Sequence, residues 1–135
     1  MSVQTFDSLP MDPEGLTAAW FSAALGTHVE TVSINDIIWG TATKVLVQLS
    51  YADPSNSLPT QICVKGGFDE RLRGMAETND AYRLEARFFG DLAGKLPVAL
   101  PQTFFSGITV DEPQGIVVME DLRDRDVRFG EPCDP

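Results

Sequence analysis

The chain predicts an α+β fold: a five-stranded antiparallel sheet, one long helix packed on it, and a second helix near the N-terminus. Two observations carry this. Five short apolar stretches, 29–39, 44–51, 60–65, 103–110 and 115–119, are bounded by Gly, Pro, Asn and Asp, as strands are. Between the third and fourth, Tyr82, Glu85, Phe89, Leu92 and Leu96 recur at three- and four-residue steps, the helical period. With 135 residues and a hydrophobic fraction of 43%, the chain makes one domain with an ordinary core.

Residues 1–15 are polar and punctuated by Pro and Gly, and are expected to be loose. Residues 16–25 read as a helix capped by Thr17, with Leu16, Trp20, Phe21 and Ala24 on one face and Gly26 as its stop. Residues 29–39 and 44–51 flank a turn of small residues, Gly40-Thr41-Ala42-Thr43, and form an antiparallel hairpin. A polar loop, 53–59, leads to the third strand, which ends at Gly66-Gly67. Residues 68–78 are a charged connector with room for one helical turn. Asn79 or Asp80 caps the long helix, which runs to about Leu96. Pro97 and Pro101 bound a loop before the fourth strand, and 111–114 turn into the fifth, whose apolar run marks it as central. The organisation is thus a loose segment at 1–15, a lobe at 16–122 and a polar tail at 123–135.

Net charge is −10 with a pI near 4.3, which argues against nucleic acid or an anionic membrane as partner. No apolar run reaches the ~18 residues of a membrane span. Met1 to Pro10 lack both the basic residues and the apolar core of a secretory signal, so cytoplasm is the expected location. Cys63 and Cys133 have neither metal-ligand spacing nor the look of a disulfide framework. His28 reads as a surface residue.

Two charges stand where the pattern asks for apolar groups. Lys65 ends the strand Ile62-Cys63-Val64-Lys65, and Glu85 lies within the helical stripe between Tyr82 and Phe89. An unpaired buried charge is costly and a buried pair is tolerable, so the two either meet or each reaches solvent on its own. The Gly40 turn is by itself a hairpin turn. A glycine among small residues also lets backbone amides approach phosphate oxygens, with Thr41 and Thr43 hydroxyls adding contacts. Finally, Val117-Val118-Met119-Glu120-Asp121-Leu122 is an apolar strand running into polar chain, which offers an apolar slot beside an exposed backbone edge.

In this order, the Ile62–Lys65 strand, Tyr82-Arg83-Leu84-Glu85-Ala86-Arg87-Phe88-Phe89, Leu96-Pro97 with Pro101, and Met119-Glu120-Asp121-Leu122 resemble the N-terminal lobe of aminoglycoside phosphotransferase-like kinases, the ecdysteroid-kinase-like branch most closely. The resemblance covers about residues 16–130. It implies that Lys65 holds the α- and β-phosphates of ATP, Glu85 orients Lys65, and the Gly40 turn lies over the phosphates. It also implies that Met119 backs the adenine, while the Glu120 carbonyl and Leu122 amide bond its edge. The catalytic Asp of an H-x-D segment, a nearby Asn and the Asp that binds Mg²⁺ belong to a second lobe, and nothing in residues 1–135 matches them.

The expected function is therefore the nucleotide-binding lobe of a phosphotransferase that moves the ATP γ-phosphoryl to a small-molecule hydroxyl. The lobe alone is expected to be inactive, and prone to self-association through an exposed cleft face. The alternative is a non-catalytic nucleotide-binding or interaction module.

Overall fold

Alternation along the strand at residues 43–51 decides how the sheet is covered. Val45, Val47 and Leu49 point to one side and Lys44, Leu46 and Gln48 to the other, and the valines and leucines on both sides are buried. A strand apolar on both faces must be packed on both, and the fold is accordingly three layers deep. The computed structural model describes residues 3–53, 55–73, 81–92, 95, 102–109 and 114–121.

In chain order the elements are β1 (Gln4–Phe6), a 3₁₀ turn (Pro13–Gly15), α1 (Ala18–Leu25), β2 (Val29–Ile38), β3 (Thr43–Tyr51), β4 (Gln61–Gly66), a four-residue helix α2 (Glu70–Arg73), α3 (Ala81–Arg87), β5 (Thr103–Thr109) and β6 (Gly115–Glu120). The strands form one sheet in the order β1-β5-β6-β4-β3-β2. The lysine strand β4 and the apolar strand β6 are interior neighbours, as their composition predicts.

Three expectations are corrected. The sheet has six strands and is mixed, because β1 pairs in parallel with β5. Residues 1–15, expected to be loose, supply that strand. Phe6 packs on Phe105 with ring centroids 5.6 Å apart, Leu9 and Pro13 are buried, and the Val3 amide donates to Asp91 Oδ1 at 3.0 Å. The long helix is also not one uniform α-helix. After Arg87 the backbone widens into a π-helical turn over Phe88–Leu92. Its expected cap at 79–80, Leu96, the 97–101 loop, residues 111–113 of the expected turn and the 122–135 tail with Cys133 all lie outside the described residues.

One face of the sheet carries α1. Phe21, Leu16 and Leu9 pack with Val45, Val47, Leu49, Ile62, Val64, Phe105, Ile116 and Val118. Thr17 accepts the Trp20 amide at 3.1 Å, and Gly26 closes the helix with φ +69°. The other face carries α3. Ala86 is fully buried among Leu46, Cys63, Ile108, Val117 and Met119, with Phe89 packed alongside. On the outer strand β2 the register with β3 slips between Ile34 and Asp36, which interrupts a long free edge.

Candidate functional site

Lys65 and Glu85 meet. Lys65 stands on β4, on the face that α3 covers, and its ammonium forms a salt bridge with Glu85 Oε1. Their side chains are 23% and 28% exposed, so the pair sits at the mouth of the interface between helix and sheet rather than deep inside it. Desolvation is partial there, and the pair orients both groups without the full penalty of a buried ion pair.

Two glycines set the distance between the helix and the sheet. A Cβ on Gly115, at the start of β6, lies 2.2 Å from the Tyr82 carbonyl oxygen and 2.5 Å from its carbon. A Cβ on Gly67, just past β4, lies 2.6 Å from the Tyr82 ring. Only hydrogen fits at either place, so Tyr82 settles onto the strand ends. Glu85, one turn further along, then falls within reach of Lys65.

Cross-strand register lays out the rest of the face. Ile38, Lys44, Lys65 and Val117 form one row across β2, β3, β4 and β6. Leu46, Cys63, Met119 and Thr103 form the next, across β3, β4, β6 and β5. The first row has two cations at its centre. In the second, Leu46, Cys63 and Met119 form an apolar run and are only 2%, 7% and 6% exposed. Leu46, Cys63 and Met119 are therefore covered within the single chain, whereas Ile38, in the first row, is exposed. Among the described residues the exposed large apolar side chains are Ile34, Ile38, Trp39 and Leu84.

The Gly40 turn joins β2 to β3 beside the cationic row. Gly40 is half-buried and Thr41 exposed. Thr43 differs from its expected role. It is fully buried, and its hydroxyl donates to the Gly40 carbonyl at 2.9 Å and accepts the Gly40 amide at 3.3 Å. It shapes the turn, and the hydroxyl is already engaged there. At the exit of β6 the Glu120 amide donates to the Gln102 carbonyl at 2.9 Å, and the Glu120 carboxylate accepts the Gln102 amide at 2.9 Å. Glu120 and the buried Asp121 line a groove of ≈ 310 Å³ with Ser57, Leu58, Pro59, Gln102 and Phe104. Leu122 lies outside the described residues.

Two side chains that matter here were not singled out by sequence reasoning. Lys44 is one, because only the β3–β4 register shows it to be opposite Lys65. Gln114 is the other. Fully buried, it accepts the Gly67 and Gly115 amides at 2.9 and 3.1 Å and donates to the Pro10 and Gly67 carbonyls at 2.9 and 3.2 Å. In sequence it is one polar residue in a turn, and no local signal marks it.

Among the described residues no helix is long and apolar enough to cross a membrane, and no three His, Cys, Asp or Glu side chains are grouped as a metal site. Compared with protein-family models, curated proteins and solved structures, the chain matches none.

Proposed function

We propose that this chain is a nucleotide-binding lobe, and that in an intact phosphotransferase it holds ATP for transfer of the γ-phosphoryl to a small-molecule hydroxyl. The observation that carries the reading is the ion pair between a lysine on an interior strand and a glutamate on the covering helix. Phosphotransferases of protein-kinase type use such a pair to hold nucleotide phosphates. A lysine fixed in direction by a carboxylate presents its remaining donors to a phosphate oxygen at little further entropic cost.

Supporting features surround the pair. The turn at 40–42 stands beside it, and the apolar row ending at Met119 adjoins the strand exit at Glu120. That row is covered in this structure, so docking of a base requires the side chains packed over it to part. Mg²⁺ does not fit the described residues, which offer no grouped carboxylates, and no step is assigned to it.

The test is calorimetric titration of the chain with ATP, beside thermal melts of the parent and Lys65→Met. The variant leaves Glu85 28% exposed and so still hydrated, and the fold is expected to survive. ATP should bind saturably to the parent, and Lys65→Met should weaken it at least about tenfold, the loss of one charge-assisted contact of about 1.4 kcal/mol. No binding, or equal binding by a folded Lys65→Met, overturns the proposal.

A further inference from the structure

On the face of the sheet that carries α1, a cavity of ≈ 350 Å³ opens at the outer strand, lined by Asp12, Pro13, Glu14, Ile37 and Trp39. Two features set it apart from ordinary surface. Trp39 is 55% exposed, whereas Trp20 packs edge-on against Phe21 and Phe105. Asp12 stands at the cap position of the 3₁₀ turn, where a carboxylate ordinarily accepts a backbone amide, but its side chain makes no capping bond. An indole face attracts a cation, and two carboxylates beside it add charge of the matching sign. The apolar surface continues beyond the cavity. Ile34 opposes Val47 and Ile37 opposes Val45, so the slip in register between them brings both isoleucines to the same face, and Ile34 is 40% exposed.

We infer that this cavity docks a basic segment of a partner protein, with an arginine side chain against Trp39 that meets Asp12 and Glu14, and apolar neighbours of that arginine covering Ile34 and Ile37. Charge selects the occupant. The chain carries 20 acidic against 10 basic residues, so a second copy is repelled and a cationic segment is drawn in. Arginine suits the site because its planar guanidinium stacks on an indole while still bonding a carboxylate. The extent of the apolar surface selects a segment over a free cation, since a small amine leaves Ile34 bare. The cavity lies on the opposite face of the sheet from Lys65 and Glu85, and the inference stands apart from the nucleotide reading.

The probe is a short blocked peptide of arginine, leucine and serine, beside a counterpart with glutamate in place of arginine, and free arginine amide. Calorimetry measures each, at two salt concentrations, against the parent, Trp39→Ala, the double variant Asp12→Asn/Glu14→Gln and the charge-matched control Asp7→Asn/Glu30→Gln. A thermal melt accompanies every variant. All five substituted residues are exposed, so the folds are expected to survive. The arginine peptide should bind the parent saturably and more weakly at high salt, and the glutamate peptide should not bind. Affinity should fall about tenfold in Asp12→Asn/Glu14→Gln and about fivefold in Trp39→Ala, and stay within about twofold of the parent in the control. An equal loss in the control means attraction to net charge alone and overturns the site. So does peptide binding that is absent, or that either cavity variant, folded, leaves unchanged. Free arginine amide binding as tightly as the peptide overturns the partner segment in favour of a small organic cation.

Discussion

Gly115→Ala tests whether the approach of α3 to β6 sets the lysine–glutamate pair. The new methyl meets the Tyr82 carbonyl oxygen at 2.2 Å, the carbonyl carbon at 2.5 Å and the Arg83 nitrogen at 3.0 Å. Carbon–oxygen contacts settle at about 3.3 Å. The helix must therefore retreat from the strand by about 1 Å. All three obstacles are backbone, and no rotamer change relieves them. Overpacking of this kind costs about 1–3 kcal/mol, and an obstruction made of backbone belongs at the upper end. At about 3 kcal/mol the melting temperature of a chain this size falls by roughly 10 °C. Because Glu85 rides on the same helix, nucleotide affinity should fall with it, although the substituted residue touches no phosphate. Gly67→Ala is the internal comparison. Its methyl meets the Tyr82 ring at 2.6 Å, and a ring yields where a backbone does not. The measurements are circular-dichroism melts and ATP titrations of both variants. Gly115→Ala melting within about 2 °C of the parent, a cost of under about 1 kcal/mol, would refute the argument that this glycine seats the helix.

Two smaller perturbations address other parts of the fold. Thr17→Ala removes the hydroxyl that accepts the Trp20 amide, and should cost about 1 kcal/mol in chemical denaturation with an unchanged m-value. Hydrogen bonds from the Ser55 hydroxyl and amide hold the Asp53 carboxyl below its ordinary range. The folded pKa is depressed, so the contribution is fully present above the unfolded value of about 3.9 and is lost as pH falls through the folded one. Asp53→Asn should flatten the stability curve below about pH 4 and leave its shape at neutral pH unchanged.

The strands were legible because their signal is local. Residues 29–39, 44–51, 60–65, 103–110 and 115–119 each fall within a residue or so of β2 to β6, and the buried runs at Val64 and Val118 marked the interior pair. The meeting of Lys65 with Glu85 was legible for a different reason, since two misplaced charges have few inexpensive solutions. β1 was not legible. Three residues are too few for alternation to register, and Gln4–Phe6 is held by partners about a hundred residues away. The π-helical turn at Phe88–Leu92 was hidden as well, because three- and four-residue spacings continue through it on paper. The position of Lys44 opposite Lys65 was hidden too, because register is a property of the assembled sheet.

The carboxamide of Gln114 has both protons and both lone-pair directions committed, and each partner accepts only one orientation of the group. Turning it over sets an NH₂ against two N–H groups and an oxygen against two carbonyls. It behaves as a keyed rivet joining three lengths of chain: the N-terminal segment at Pro10, the end of the lysine strand at Gly67, and the root of β6 at Gly115. The Gly67 carbonyl is also held by Arg73, which grips the Met11 carbonyl with the same nitrogen. A rivet at one end of a strand leaves the other end to move. Any flexing of the sheet should therefore be smallest at Gly67, where these three lengths of chain are joined.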